Sequence, residues 1–230
     1  FPVAGATVIV GDNTDASALF TTACNYGTPS NTLDDCGNVN AGVTGGGTMI
    51  GASYDFDNGF TAAVGYAGPG STVAGLATAE GDDVMGFNAA YTGDNYGVSL
   101  TYGMVETDGL AGNDDGFTAI NGYYSPDGLP TINVGYETGE DDSEPSDEDG
   151  LSSWFVGLQF DDLGPGSGGV AVGTKAPTTE DGDEMLMYEA YYSYAINDGM
   201  TITPLVFIKE VAAAGTDDET GVLVKTSFSF

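Results

Sequence analysis

The sequence predicts an all-β protein, an up-and-down antiparallel transmembrane β-barrel of about twelve strands. Three observations carry this. The last ten residues, GVLVKTSFSF, alternate strictly: Val222, Val224, Thr226, Phe228 and Phe230 fall in one phase, and Leu223, Lys225, Ser227 and Ser229 in the other. That is the length and period of a membrane-crossing strand. Five short Asp-, Asn- and Gly-rich turns recur at intervals of 37, 33, 35 and 36 residues, measured between Asp57, Asp94, Asp127, Asp162 and Asp198. Such turns supply the positive φ that tight hairpins demand. Each is flanked by two alternating runs, and longer polar loops separate the units, giving a repeated hairpin.

The strands follow in order near 47–55, 59–67, 83–92, 95–104, 116–125, 129–137, 151–160, 167–175, 185–196, 200–209 and 220–230. A twelfth, 3–10, precedes a long loop that holds both cysteines. No segment has helical periodicity, and no run of 18 apolar residues exists, so no transmembrane helix is expected. An even strand count is what bacterial outer-membrane barrels use. The chain starts Phe1-Pro2-Val3 without Met or a charged leader, so either a signal peptide has been removed or the chain is part of something longer.

Alternation assigns the two faces. Tyr96, Leu100, Tyr102, Trp154, Leu158, Phe160, Tyr192 and Phe228 fall on the apolar face, with aromatics near strand ends like an interfacial girdle. The opposite face is Gly, Ala, Ser, Thr and Asn, nearly uncharged. A soluble sandwich would instead carry a charged outer face. Twelve strands also enclose more space than side chains fill. The small polar face is therefore expected to meet a wet lumen, and the aromatics lipid.

Charge supports the same division. Lys+Arg is 3 and Asp+Glu is 35, a formal net charge of −32, with no His and no Arg. A polyanion would be repelled, which excludes nucleic acid as a partner. The acidic residues are read in long loops and short turns, with Glu189 alone in mid-strand. A charge in the hydrocarbon costs about 2–4 kcal/mol at the midplane, so clear strand interiors are expected. Long loops then lie outside, and the C-terminus sits at the periplasmic rim.

Candidate functional residues follow from the faces. Lys175, Lys209 and Lys225 fall opposite the apolar residues of their strands. With Glu189, Asn133, Gln159, Ser99 and Thr101 they are read as pore-lining. Two explanations stand for the lysines: a cationic patch that acts on solutes, or charges that simply avoid lipid. The acidic stretch 137–149, including Glu140, Asp141, Asp142, Asp147 and Asp149, offers hard oxygen ligands for Ca²⁺ or Mg²⁺. It lacks EF-hand spacing, and a solvated like-charged surface is the plainer reading. Cys24 and Cys36 are the only cysteines and are expected to form a disulfide that pins an outer loop of about a dozen residues. Without His no nucleophile–base pair is available, and neither an enzyme nor a cofactor is expected.

On the segments FPVAGATVIVG (1–11), GFTAINGYYSPDGLPTINVGYETG (116–139) and KTSFSF (225–230), the chain resembles the C-terminal barrel region of cyanobacterial porins that carry an S-layer-homology domain, a carbohydrate-selective and iron-uptake porin family. The resemblance implies one barrel domain over 1–230, part of a larger 16-strand-type barrel that lacks the family's N-terminal region. It implies a trimer in the outer membrane, with Phe228 and Phe230 as the aromatic ending that insertion machinery reads. It also implies passage of small solutes and inorganic ions, including iron and carbohydrate, although arginine-lined sugar tracks have no counterpart here. The alternative from another class is an acidic extracellular β-protein or adhesin that binds divalent cations.

Overall fold

The computed structural model describes residues 2–3, 5–27, 33–43, 47–68, 83–106, 114–140, 150–174, 178–179, 182–211 and 217–229. Lys175, Phe230, Asp141, Asp142, Asp147 and Asp149 lie outside the described residues. Twelve strands form the wall: β1 (Ala6–Asp12), β2 (Thr48–Asp55), β3 (Phe60–Gly68), β4 (Val84–Thr92), β5 (Tyr96–Glu106), β6 (Asp114–Tyr124), β7 (Thr131–Glu140), β8 (Gly150–Leu163), β9 (Gly166–Thr174), β10 (Leu186–Asn197), β11 (Met200–Lys209) and β12 (Glu219–Phe228). Each pairs antiparallel with its chain neighbours in one continuous up-and-down sheet. Among the described residues, the short Pro2–Val3 strand beside β1 and, at the other side, β12 end the sheet and do not pair with each other.

The expected strand 3–10 is two pieces. Gly5 has φ +87°, a conformation L side chains rarely adopt, and there the chain reverses. Pro2 and Val3 fold back onto Thr7 and Ala6 of β1. One short 3₁₀ turn, Ala16–Leu19, was not expected from periodicity; Asp15 caps it by accepting from Ser17 N at 2.8 Å and Ser17 Oγ at 2.6 Å. Acidic residues also enter strands more often than charge counting suggested. Glu106, Asp115, Glu137, Asp161 and Asp162 all lie within strand bounds.

The apolar phase faces outward. Ile50, Val64, Phe87, Val98, Leu100, Ile120, Val134, Val156, Val170 and Val206 are each about half exposed or close to it, and they follow one another from strand to strand. Tyr96, Tyr102 and Phe228 are exposed on this face; Trp154, Phe160 and Tyr192 are half-buried on it. Near the short turns the aromatics touch one another: Tyr54 with Phe56 at 4.9 Å, Phe60 with Tyr91 at 4.7 Å, Tyr91 with Tyr96 at 5.5 Å between centroids. Tyr192 Oη donates to the Leu163 carbonyl at 3.1 Å, and Trp154 Nε1 donates to Glu184 Oε1. Amphipathic rings with polar tips at strand ends suit a membrane–water boundary.

An outward charge in mid-band should be costly. Val134→Lys is expected to lower the unfolding free energy in lipid vesicles by about 2–4 kcal/mol, and Val134→Leu to leave it nearly unchanged. Urea titration in vesicles measures both; equal stability of the two variants would contradict the outward lipid-facing assignment.

Candidate functional site

The inner face is where the structure departs most from the sequence reading. The described parts of the long connection between β1 and β2, residues 13–27 and 33–43, fold onto the inside of the wall. The connection leaves β1 at Asn13, whose N–H donates to Gly47 O at 2.8 Å, so the two ends of the excursion are clasped. Its outgoing limb crosses strand after strand. Thr21 N donates to Asn88 Oδ1 on β4 at 2.9 Å, Ala23 N to Ser99 Oγ on β5 at 2.9 Å, and Asn25 N to Asn133 Oδ1 on β7 at 2.7 Å. Tyr26 then packs edge-on against Phe155 of β8 at 5.2 Å and Tyr191 of β10 at 5.6 Å.

The segment turns at its tip, where Cys36 N donates to Leu33 O at 3.1 Å and Asn38 N to Asp35 O at 3.0 Å. The return limb has its own anchors. Asn121 Nδ2 donates to Cys36 O at 2.7 Å, Ser153 Oγ to Gly37 O at 3.0 Å, and Ala16 N to Val43 O at 3.1 Å. The strongest anchor is Glu137 of β7, 1% exposed. Its carboxylate accepts from Asn40 N at 2.8 and 3.0 Å and from Ala41 N at 2.8 Å. Bonds to an ionised acceptor are worth roughly 1.5–3 kcal/mol each.

The wall is shaped to receive this segment. Gly51, Gly65, Gly86 and Gly103 are register partners across β2 to β5 and form a trough without side chains. A Cβ on Gly65 would lie 2.7 Å from Ala16 O, and one on Gly103 2.8 Å from Ala41 O. At Gly135 a Cβ would lie 1.7 Å from the Cys36 carbonyl oxygen. Small residues were expected here because a lumen is wet. Over β2 to β9 they are small because a polypeptide lies on them.

The expected pore-lining residues therefore divide. Ser99, Thr101 and Asn133 are on the inner face but at most 1% exposed, bonded to the inward segment or to each other's neighbours; Thr101 Oγ1 accepts from Asn88 Nδ2 at 2.9 Å. Glu189 is also buried on this face, at 4%. Gln159 Oε1 accepts the Tyr191 hydroxyl. Ser99, Thr101, Asn133 and Glu189 thus do not border open water, while Gln159 is half-buried. Cys24 and Cys36 are joined, 12 residues apart, but both cysteines pack against the inner face of the wall, not in an outer loop as expected. Cys36 is buried with Tyr26, Leu33 and Phe155.

Open space remains at the other side of the inner face. A cleft of about 400 Å³ runs between Gly27 and the wall of β9 to β12, lined by Ser167, Ser193, Thr201, Thr203, Lys225 and Tyr191. Thr203 Oγ1 donates to Ser193 Oγ at 3.0 Å, and Lys225 is the register partner of Thr203. Toward the short turns a second recess adds Asp161 and Asp162. So Lys225 sits among neutral hydroxyls, with carboxylates at the lip. Lys209 is half-buried at the other end of β11, its ammonium 4.9 Å from the Phe207 ring centre. Glu140 is exposed at the end of β7; among the described residues no group of three or more His, Cys, Asp or Glu side chains could hold a metal.

Sequence reasoning missed Glu137, Asn88, Asn121, Ser153 and the glycine row. Glu137 was read as the start of the acidic run 137–149, although alternation already put it in phase with Asn133 and Gly135.

No protein-family model matches the chain, and no curated protein matches it. Solved structures do. An anion-selective porin from Comamonas acidovorans aligns with TM-score 0.61 and 16% identity over 80% of this chain and 60% of its own. A porin refined at 1.8 Å resolution aligns with TM-score 0.64 and 20% identity over 97% of this chain and 77% of its own. The chain thus spans three-fifths of the length of the Comamonas protein. These likenesses establish the fold, an up-and-down porin-type β-barrel.

Two outcomes follow from the anchors. Glu137→Ala strands two buried N–H groups, a cost of about 2–5 kcal/mol, while Glu137→Gln keeps an acceptor. The urea midpoint in lipid vesicles should fall in the order parent, Gln, Ala; an unchanged midpoint in the Ala variant would contradict the anchoring role. The second outcome concerns pH. Asp35 is exposed at the tip, but desolvation by the surrounding segment and wall, and then the charge of Asp34, push its carboxyl up to about 6 from its ordinary 3.8. Burial also raises Asp34. The folded segment then binds protons more tightly than the unfolded one, so stability falls as pH rises from about 4 through 6. Asp35→Asn should flatten that decline in urea midpoints measured across the window.

Proposed function

We propose that this chain forms the wall and internal constriction of an outer-membrane porin, a non-enzymatic channel for passive diffusion of small hydrophilic solutes and inorganic ions. One observation carries the reading: an apolar outer face encloses an inner cleft lined by hydroxyls and Lys225, narrowed by a fixed segment of the same chain. A passage needs weak, replaceable polar partners along its wall, and hydroxyls meet that need for both water and solute. A soluble, cation-binding acidic β-protein would instead leave Leu100, Val134 and Val206 in water.

In this reading the long loops lie outside and the short turns and C-terminus at the periplasmic side. The homotrimer, and the passage of iron and carbohydrate, rest on the family resemblance alone. The acidic loops would gather Ca²⁺ or Mg²⁺ at the outer mouth as a diffuse, screened charge. The Comamonas neighbour is described as anion-selective. With a net charge of −32, we infer that this mouth enriches cations and that the lysines moderate the preference.

Reconstitution into planar bilayers tests the function, with stepwise conductance expected; well-folded protein that never conducts would overturn it. Selectivity tests the lysines. A unit charge acting over ~8 Å of water contributes ~0.5 kcal/mol, about a twofold bias. Replacing Lys175, Lys209 and Lys225 with Gln should raise the cation-to-anion permeability ratio by at least about that factor, read as reversal potential in a salt gradient. A ratio equal to the parent's would mean that the lysines only avoid lipid.

A further inference from the structure

The outward face is apolar along most of the wall, and one run of adjacent hydroxyls interrupts it. Tyr102, Thr118, Thr138, Ser152 and Thr178 are successive register partners across β5, β6, β7, β8 and the segment Thr178–Thr179. In-register neighbours on one face stand about 4.5–5.5 Å apart at Cβ, so their hydroxyls form a continuous ledge. The adjacent row toward the short turns is Leu100, Ile120, Tyr136 and Trp154, wholly apolar or aromatic. The adjacent row toward the long loops is Met104, Gly116, Glu140 and Gly150. Its two glycines leave the ledge recessed, and a cavity of about 490 Å³ opens there over Thr118, Tyr136, Thr138, Glu140 and Ser152.

We propose that this ledge binds the uncharged sugar headgroup of a glycosylated lipid in the outer leaflet. The rows supply the parts in the order such a lipid presents them. Acyl chains lie on the Leu100 and Ile120 row. The exposed Tyr136 ring offers a flat apolar face to the C–H side of a sugar, next to Trp154. Threonine and serine hydroxyls each donate and accept, which matches a ring of sugar hydroxyls. Charge selects against the common alternative. Among the described residues, the only carboxylate or ammonium side chain lining the cavity is that of Glu140, whose oxygens accept from sugar hydroxyls but repel a phosphate. The proposal rests on the membrane-embedded reading above.

The test uses the whole chain extracted from vesicles that hold equal amounts of a monohexosyl diacylglycerol and a phosphatidylglycerol with the same acyl chains. Native mass spectrometry counts the lipids retained. The parent should retain the hexosyl lipid over the phospholipid by roughly tenfold. The variant Thr118→Val, Thr138→Val, Ser152→Ala should lose that preference while conducting like the parent. Equal retention of the two lipids by the parent, preference for the phospholipid, or an unchanged preference in the triple variant each overturns the proposal. Conductance of the same preparation separates the two levels. A parent that conducts without lipid preference refutes the ledge alone, and a parent that folds but never inserts refutes the membrane reading beneath it as well.

Discussion

An irregular segment can lie inside a β-wall only if its buried amides find acceptors and the wall beneath it makes room. Everything particular to this chain depends on that constraint. A strand satisfies its backbone through its neighbours. Residues 13–27 and 33–43 lie outside the strands, so the wall supplies side-chain partners one strand at a time: Asn88, Ser99, Asn121, Asn133, Glu137 and Ser153. An unpaired buried amide costs about 1–3 kcal/mol. A segment this long would not stay inside on apolar contact alone.

Room is the second half of the constraint. The glycine row from Gly51 to Gly103, with Gly135 beyond it, lets main chain approach main chain. Apolar contacts then fill what the hydrogen bonds leave. Tyr26, Leu33 and Cys36 pack with Phe155, Met187 and Leu205 at one end, and Ala16 and Val43 with Met49, Ala67 and Val84 at the other. The disulfide between Cys24 and Cys36 ties the outgoing limb to the tip. Because the segment fills the β2 to β9 side, the cleft beside Lys225 is displaced toward β10 to β12. The position of the candidate passage is thus a consequence of where the segment sits.

The strands were legible because two independent rules mark them. Alternation gives the phase, and the cost of charge in hydrocarbon clears the interiors; most observed bounds fall within two or three residues of the expected ones. The outer face was legible for the same reason. The inner face was legible only as to which residues occupy it, not as to what they meet. Ser99 and Asn133 look identical in sequence whether they border water or hold an amide. The partners of the inward segment are scattered singly between Asn88 and Ser153 and leave no local pattern. Glu137 was hidden by its neighbours, because five strand positions in phase were outweighed by an acidic run that follows. The glycine row was the one available signal: four glycines at matched register say that something approaches closely there.

Hydrogen exchange at individual amides tests the central claim most directly. The amides of Thr21, Ala23, Asn25, Asn40 and Ala41 belong to no strand, yet each donates to a side chain of the wall. If the segment is seated as described, these five should exchange nearly as slowly as the amides of β5 and β7 in membrane-embedded protein. Exchange at the rate of an open polar loop would place residues 13–27 and 33–43 outside the wall and contradict the account.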